Sequence, residues 1–196
     1  MKKLFMIAAM MVATLSANAQ NEVGKWSIKP MVGVNFASMT KTVESKMRIG
    51  VTAGAEFAVG AAKNFEISFG ALYSMQGAKG KTTIEDVTLD QTLKLDYINI
   101  PVMANYYVAP GLAIKAGVQP GFNVLKKGLS EAQGVSIEVD YEGVKGFGLS
   151  VPVGLSYEFS NFVIDARYNW GLTKAIKDYD NKHSYFSLTL GYKLPF

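Results

Sequence analysis

The stretch YFSLTLGYKLPF, residues 185–196, decides the fold of this chain. Its large apolar side chains fall on every second residue, and mostly smaller or polar residues stand between them. Successive side chains of a β-strand point to opposite faces, so a period of two indicates a strand with one apolar face. The apolar face holds Phe186, Leu188, Leu190, Tyr192, Leu194 and Phe196, and the other face holds Tyr185, Ser187, Thr189, Gly191, Lys193 and Pro195.

The same alternation occurs in eight segments along the chain. They cover residues 26–36, 47–59, 65–75, 95–108, 112–123, 148–159, 162–170 and 185–196, of which 95–108 is the least regular. Most have about ten to thirteen residues, the length that a tilted strand needs to cross a bilayer. An even number of strands suits a closed barrel. The sequence therefore predicts an all-β fold, an eight-stranded antiparallel up-and-down transmembrane barrel.

The connections between these segments alternate in length. Residues 60–64, 109–111 and 160–161 form tight turns, whereas residues 37–46, 77–91, 125–145 and 173–183 are long and polar. Because the first strand starts from the periplasm, we expect the turns to face the periplasm and the long loops to face outside. Aromatic residues near strand ends would form interfacial girdles, with ordinary β packing as the alternative. These are Trp26, Tyr73, Tyr106, Tyr157, Tyr168, Trp170 and Tyr192.

Residues 1–19 have the pattern of a secretory signal peptide. Lys2 and Lys3 form the charged start, an apolar stretch follows, and Ala17-Asn18-Ala19 is a small-x-small cleavage site. The apolar stretch is shorter than the roughly 20 residues that a membrane-spanning helix needs. We therefore expect cleavage after this site, export to the periplasm, and one mature domain, residues 20–196, in the bacterial outer membrane.

Composition excludes several classes of protein. The chain has no cysteine, so it has neither disulfides nor a thiolate metal site. Removal of the two leader lysines lowers the formal charge from +4 to about +2, a balance that does not favour nucleic acid. No cofactor or metal motif is present. For Asp178 and Asp180 the sequence favours an ordinary exposed loop over a loose calcium site.

A soluble β-sandwich would show the same alternation, with its apolar faces turned inward. Here the polar face is rich in Gly and Ser and the apolar face continues across eight strands, which suits a narrow lumen and a lipid-facing wall. The chain end also resembles the C-terminal assembly signal of outer-membrane proteins, in which aromatic and apolar residues alternate up to a final Phe. The residues of that signal are Leu190, Tyr192, Leu194 and Phe196.

The segment LDYINIPV, residues 95–102, looks like the characteristic strand of the PorT-like family of outer-membrane β-barrel proteins. In that strand a Tyr-x-x-Ile-Pro core precedes an apolar stretch and a tyrosine. The resemblance implies a small barrel of the OmpA and OmpX type of architecture. It implies architecture more than activity, because such barrels serve many roles.

The alternation also predicts a charged lumen. An eight-stranded barrel is only wide enough to be filled by side chains, so we expect these charges to pair as a polar core without an open pore. A narrow ion or solute path lined by the basic residues is the alternative. The predicted network consists of Lys29, Arg48, Glu56, Glu66, Lys115, Glu158, Asp165, Arg167 and Lys193.

The sequence favours a structural or interaction role in the cell envelope and no enzymatic activity. His183 and Ser184 raise the alternative of a lipid-modifying enzyme, but adjacent residues of a strand point to opposite faces, which is awkward for a base and its nucleophile. The expected partners are outer-membrane lipid and lipopolysaccharide, the outer-membrane assembly machinery, and envelope or secretion proteins.

Overall fold

The computed structural model describes residues 22–39, 46–84, 87–132, 135–140, 145–174 and 182–196. Within these ranges the chain consists of β-strands and the turns between them. The strands are β1 (Trp26–Met39), β2 (Lys46–Ala62), β3 (Phe65–Ile84), β4 (Val87–Asn99), β5 (Val102–Ala109), β6 (Leu112–Ala132), β7 (Val135–Asp140), β8 (Phe147–Phe159), β9 (Phe162–Lys174), β10 (Lys182–Tyr192) and β11 (Leu194–Pro195). These ranges contain no helix that is long and apolar enough to cross a membrane.

The strands form a closed antiparallel barrel with eight walls. Each wall pairs with the next, and the pairing of β10 with β1 closes the ring, from Met31 opposite Gly191 to Met39 opposite His183. Strands β4 and β5 form one wall, because both pair with β3 and with β6. Strands β10 and β11 form another wall, since both pair with β1. The predicted all-β eight-stranded barrel is confirmed.

The break between β4 and β5 lies in the segment that the sequence marks as irregular. Pro101 has no N–H group to donate to a strand ladder, so regular pairing stops there. The backbone N–H of Ile100 still donates to the carbonyl of Pro120 at 2.8 Å, and that of Gly70 donates to the carbonyl of Pro101 at 3.2 Å. The wall therefore remains continuous across the proline.

One end of the barrel, which we call the turn rim, carries the three tight turns. They lie between β2 and β3, between β5 and β6, and between β8 and β9, as the sequence predicts. Asn64, Gly111 and Ser160 have positive φ angles there, which allows the chain to reverse within two residues. The start of β1 and the C-terminal Phe196 lie at the same end, where the Phe196 N–H donates to the Trp26 carbonyl at 2.9 Å.

The opposite end, the hairpin rim, differs from the prediction of four long polar loops. Residues 77–91 and 125–145 are largely strands: β3 and β4 stay paired up to Ile84 opposite Val87, and β6 pairs with the additional strand β7. Residues 77–91 have mostly polar side chains at both parities, so alternation does not mark them as strand, although their backbones remain hydrogen-bonded. In β7 the alternation is present in the sequence, with Val135, Ile137 and Val139 on one face. Of the predicted loops 37–46 and 173–183, the central parts lie outside the described residues.

The two faces of the wall have the polarity of a membrane barrel. Ile114 is 49% exposed on the outer face and its neighbour Lys115 is 2% exposed on the inner face. Leu155 and Ser156 repeat the contrast, with 52% and 4%. An apolar outer face and a polar interior are favourable only when lipid surrounds the barrel, which excludes the soluble sandwich.

The predicted girdle residues fall near both rims. Trp26, Tyr106 and Tyr192 are exposed on the outer face towards the turn rim, and Tyr73, Tyr168 and Trp170 are exposed nearer the hairpin rim. Tyr157 is partly buried and its ring packs against that of Phe159, with 6.5 Å between the ring centroids.

Candidate functional site

The middle of the lumen is filled by five charged side chains, which we call the central cluster. It consists of Lys29, Glu56, Lys115, Asp165 and Arg167 from β1, β2, β6 and β9. Arg167 binds both carboxylates in a fork: its Nη1 and Nη2 donate to Glu56 at 2.5 and 2.9 Å, and its Nε and Nη2 donate to Asp165 at 2.6 and 2.7 Å. Two-pronged bonds of this kind are the strongest that a guanidinium makes.

Two lysines complete the central cluster from the other walls. Lys115 donates to Asp165 Oδ2 at 2.5 Å, and the Lys29 ammonium lies 3.0 Å from Glu56 Oε2. Four of the five side chains are at most 3% exposed and Lys29 is 11% exposed. Buried ions are tolerated only when their partners satisfy them, so this cluster ties four strands together across the lumen.

A second group, the turn-rim cluster, lies nearer the tight turns. It consists of Glu66, Tyr107, Glu158 and Lys193. The Lys193 ammonium lies 3.0 Å from each of the two carboxylates. The Tyr107 hydroxyl contacts Glu158 Oε1 at 2.5 Å and Glu66 Oε2 at 3.1 Å. One ammonium and one phenol therefore hold two carboxylates at this end.

The two clusters have opposite net charge. The central cluster has three cations and two carboxylates, which gives +1. The turn-rim cluster has one cation and two carboxylates, which gives −1. The sum over the eight ions is zero, so the lumen is neutral as a whole while each cluster by itself is not.

Arg48 belongs to neither cluster, although the alternation assigned it to the same network. Its guanidinium lies 3.7 Å from Asp96 and donates to the carbonyl of Gln76. The alternation along β2 is unbroken here, since Arg48 lies between the exposed Met47 and Ile49 and β2 keeps its register with β1 from Arg48 to Glu56. Arg48 lies nearer the hairpin rim than Glu56, so it is out of reach of the central cluster. Arg48 therefore pairs with Asp96, apart from the two clusters.

Asp96 and two tyrosines are functional candidates that the sequence analysis missed. Asp96 is 4% exposed and accepts a hydrogen bond from the Tyr73 hydroxyl at 2.5 Å. It shares its parity with the outward Ile98, and a charge on a lipid-facing position destabilises the barrel. That cost is the signal that could have revealed a partner for Asp96. The sequence contains no such signal for Tyr107 or Tyr185, because a tyrosine is favourable on either face of a barrel strand.

The lumen towards the hairpin rim is built differently. There the hydroxyl of Tyr185 accepts hydrogen bonds from the side-chain amides of Asn99 at 3.0 Å and Gln119 at 2.7 Å. Above this layer a cavity of about 40 Å³ opens towards the rim, and we call it the vestibule. Among the described residues, every side chain around it is uncharged.

The cavities along the lumen are small and separate. Besides the vestibule, one of about 20 Å³ lies between the two charged clusters, and one of about 10 Å³ lies between Arg167 and Tyr185. A single water needs roughly 10–15 Å³ of such space. Each of these three cavities therefore has room for one to a few waters.

The residues considered for enzyme or metal chemistry contribute little. His183 pairs with Met39 through the backbone, and its side chain lies outside the described residues, as do Asp178 and Asp180. Ser184 lies on β10 opposite Trp170. In the described part of the chain, no three His, Cys, Asp or Glu side chains are grouped as metal ligands.

The residues of the proposed C-terminal assembly signal lie on the outer surface beside β1 and β9. Their side chains are between 40% and 69% exposed, with Phe196 the most exposed. Tyr192 packs edge-on against Phe162, with 5.1 Å between the ring centroids. The four residues are Leu190, Tyr192, Leu194 and Phe196.

Comparison with known proteins agrees with this geometry. Residues 18–177 match the family described as outer membrane protein beta-barrel domain. The chain belongs to this family. It is accordingly a bacterial outer-membrane protein that crosses the bilayer with β-strands. No curated protein sequence matches it significantly.

Two solved proteins are similar to the barrel over nearly their whole length. The attachment invasion locus protein Ail of Yersinia pestis has a TM-score of 0.52 and 17% identity, covering 88% of this chain and all of Ail. A structure of Ail with the heparin analogue sucrose octasulfate has a TM-score of 0.52 and 16% identity, with the same coverage. Neisserial surface protein A has a TM-score of 0.51 and 14% identity, covering 86% of this chain and 97% of that protein. At these identities the likeness shows the fold alone.

Proposed function

We propose that this barrel acts by interaction at its hairpin rim and does not pass solutes through its lumen. The observation that carries the proposal is the central cluster, in which Arg167 bridges Glu56 and Asp165 across the lumen. A solute would have to break these charge-assisted bonds in a space that holds only a few waters. The alternative of a narrow channel is therefore disfavoured.

We infer that the turn rim faces the periplasm and the hairpin rim faces outside. The N-terminal end of β1 lies at the turn rim, and an exported chain reaches the membrane from the periplasm. Short periplasmic turns and longer external connections are also usual in this class of barrel. In this orientation the paired hairpins project above the outer leaflet.

The interaction partner that fits the hairpin rim best is the phosphate-bearing part of lipopolysaccharide. Lys94 and Lys127 are direct cross-strand neighbours on β4 and β6, and Glu138 of β7 lies 3.1 and 2.5 Å from their ammonium groups. Lys126 is exposed beside them. Counted together with Asp140, which pairs with Lys127 through the backbone, three lysines and two acidic residues leave a charge of +1 at the level where the apolar wall ends at Val124. Phosphate groups are the natural counterions there.

The test compares two double variants that remove the same charge at opposite rims. We expect Lys126→Gln with Lys127→Gln to weaken binding of lipopolysaccharide to the barrel in phospholipid nanodiscs. The control, Lys25→Gln with Lys63→Gln, changes two exposed lysines near the turn rim and should leave binding unchanged. Equal binding by both variants, or no preference for phosphorylated over dephosphorylated lipopolysaccharide, would contradict the proposal. Steady conductance of the unaltered barrel in planar bilayers would favour the channel instead.

Four further assignments belong to this proposal. Residues 1–19 are a signal peptide, and residues 20–196 form the mature barrel. Leu190, Tyr192, Leu194 and Phe196 are contacts for the assembly machinery, and their exposure on the outer surface supports this role. Membership of the PorT-like subgroup rests on residues 95–102, which span the break at Pro101. Contacts with envelope or secretion proteins would use the hairpin rim.

A further inference from the structure

We propose that the vestibule is a binding site for the hydroxyl groups of an uncharged sugar. This inference goes beyond the proposed function and does not depend on it, because it concerns the interior of the barrel mouth and not the lysines of the rim. Three features of the vestibule carry it: space created by glycines, an excess of hydrogen-bond acceptors, and the absence of charge among the described residues that line it.

Glycines on neighbouring strands create the space. Gly121 of β6 pairs with Gly148 of β8, and both line the vestibule. A Cβ atom added at Gly148 would meet only Thr173 Oγ1 at 3.6 Å and Tyr97 Cε1 at 4.0 Å, so there is space beside the backbone of Gly148. At Gly121 the room is used by the Asn99 side-chain oxygen, which would lie 2.5 Å from a Cβ. The walls thus leave a recess bounded by an aromatic ring and amide groups.

The amide groups of the vestibule use their N–H donors on the barrel itself. Gln119 Nε2 donates to Tyr185 and to Ser150, at 2.7 and 3.2 Å, Asn99 Nδ2 donates to Tyr185, and Gln76 Nε2 donates to Ser74. Within the described ranges no group donates to the side-chain carbonyl oxygens of these three amides. A ligand that brings donors of its own, as a hydroxyl group does, is complementary to such a surface.

Charge argues against ionic ligands. A carboxylate, sulfate or phosphate would bring acceptors to a surface that already has an excess of them, and the described lining offers no cation to balance it. A metal ion or ammonium would face the central cluster, whose net charge is +1 and whose Arg167 borders the small cavity beneath Tyr185. The ring of Tyr97 supplies an apolar surface for the C–H groups of a sugar. A neutral polyhydroxylated group fits all three conditions.

The volume limits how much of the sugar enters. About 40 Å³ corresponds to roughly three water molecules, which is the size of two adjacent hydroxyl groups or of a hydroxymethyl arm. The rest of the ring would remain above the recess. Such a ligand is either a free sugar or the exposed end of a glycan chain, for example that of lipopolysaccharide in the same leaflet.

The experiment titrates the folded barrel in phospholipid nanodiscs with glucose, galactose and glucose 6-phosphate. Binding is followed by the NMR shifts of the Asn99 and Gln119 side-chain amides. We expect a neutral hexose to shift both signals and the phosphate to bind more weakly. Gly148→Ala should weaken hexose binding about tenfold, as one methyl group in a pocket commonly does. The matched control Gly146→Ala adds the same methyl group where nothing lies within 4 Å and should bind like the unaltered barrel.

The outcomes separate the sources of the sugar and the two proposals. Shifts already present in nanodiscs that contain lipopolysaccharide, and not increased by hexose, assign the site to a glycan chain. Equal hexose binding with and without lipopolysaccharide assigns it to a free sugar. No shift with any neutral sugar, or equal binding by Gly148→Ala and the unaltered barrel, overturns the inference. The rim variant Lys126→Gln with Lys127→Gln should leave these shifts unchanged, so failure of one proposal does not imply failure of the other.

Discussion

The two halves of the lumen are built from different chemistry on the same scaffold. From the turn rim to the middle, carboxylates, ammonium groups and a guanidinium fill the space and bind each other at 2.5–3.8 Å. Towards the hairpin rim, amides, hydroxyls and glycines replace them and leave a cavity open at one end. An inward position in a barrel strand therefore requires a polar or small residue. Which polar residue stands there decides whether the lumen is filled at that level or accessible.

The charged half is itself divided by its net charge. The central cluster carries one cation in excess and the turn-rim cluster one carboxylate in excess, so removal of a single negative charge should destabilise the first much more than the second. This difference can be tested directly, and it gives the largest expected effect.

Glu56→Gln should destabilise the barrel far more than Glu158→Gln. Loss of the Glu56 charge leaves Lys29, Lys115 and Arg167 with Asp165 alone, and breaking a buried ion pair costs about 3–5 kcal/mol. Loss of the Glu158 charge leaves Lys193 balanced by Glu66 and should cost about 1 kcal/mol or less. The free energy of unfolding in urea, followed by gel mobility of unheated samples, measures both.

These two variants change the same atoms by the same amount, so each serves as the control of the other. Equal destabilisation by both would mean that the clusters do not act as separate units with opposite net charge. The double variant should show additive effects, because the ion pairs described above join Glu56 to members of the central cluster and Glu158 to Lys193 of the turn-rim cluster.

The uncharged half should respond to added volume at one glycine and tolerate it at its neighbour. Gly121→Ala places a Cβ 2.5 Å from the Asn99 side-chain oxygen and should cost about 1–3 kcal/mol, the usual range for overpacking. Gly148→Ala meets atoms only at 3.6 and 4.0 Å and should be within about 0.5 kcal/mol of the unaltered barrel. The same urea titration compares them. If Gly148→Ala is the more destabilising, the recess at that position is not open.

The smallest effect is expected at the hairpins, where charges are exposed. Hydrogen bonds from Lys127 and Lys94 lower the pKa of Glu138 below its ordinary value of 4.5. A lowered pKa stabilises the folded hairpin above the ordinary pKa, and this contribution disappears as the pH falls through the lower, folded value. Backbone amides of β7 should therefore exchange more slowly in the unaltered protein than in Glu138→Gln at pH 7, with no difference at pH 2.

Barrel stability should not change with Glu138→Gln, because β7 pairs only with the projecting part of β6. Glu22→Gln, an exposed carboxylate near the turn rim, is the control and should alter no exchange rate in β7. A difference between Glu138→Gln and the unaltered protein that persists below the titration of Glu138 would assign the effect to packing and not to charge.

Most of the wall could be predicted from alternation, because lipid outside and side chains inside impose opposite polarity on neighbouring residues. Ile114 and Lys115 illustrate this, and so do the three tight turns. The prediction failed beyond the apolar wall, where no lipid requires opposite polarity of neighbouring residues. Residues 77–91 and 125–145 were assigned to loops, yet hydrogen bonds between backbones hold much of both as paired strands, and the alternation of β7 was overlooked.

The candidate site was predictable in its membership and not in its arrangement. Eight of the nine predicted charges form the two lumen clusters, whereas Arg48 pairs with Asp96 nearer the hairpin rim. The pairing of Arg167 with Glu56, 111 residues apart, depends on the stagger of β9 against β2 around the barrel. Neither the opposite charges of the clusters nor the neutral vestibule follows from composition. Both depend on where along the barrel axis each inward residue lies.

The sequence by itself therefore determined the strands, their inward faces and the class of protein, because these follow from a period of two and from the length of chain that spans a bilayer. Only the tertiary structure decided which charges meet, where Asp96 is buried, and where glycines leave the lumen open. Those features depend on the register between strands that are distant in the sequence, and register is set jointly by backbone pairing, bulges and the packing of all eight walls.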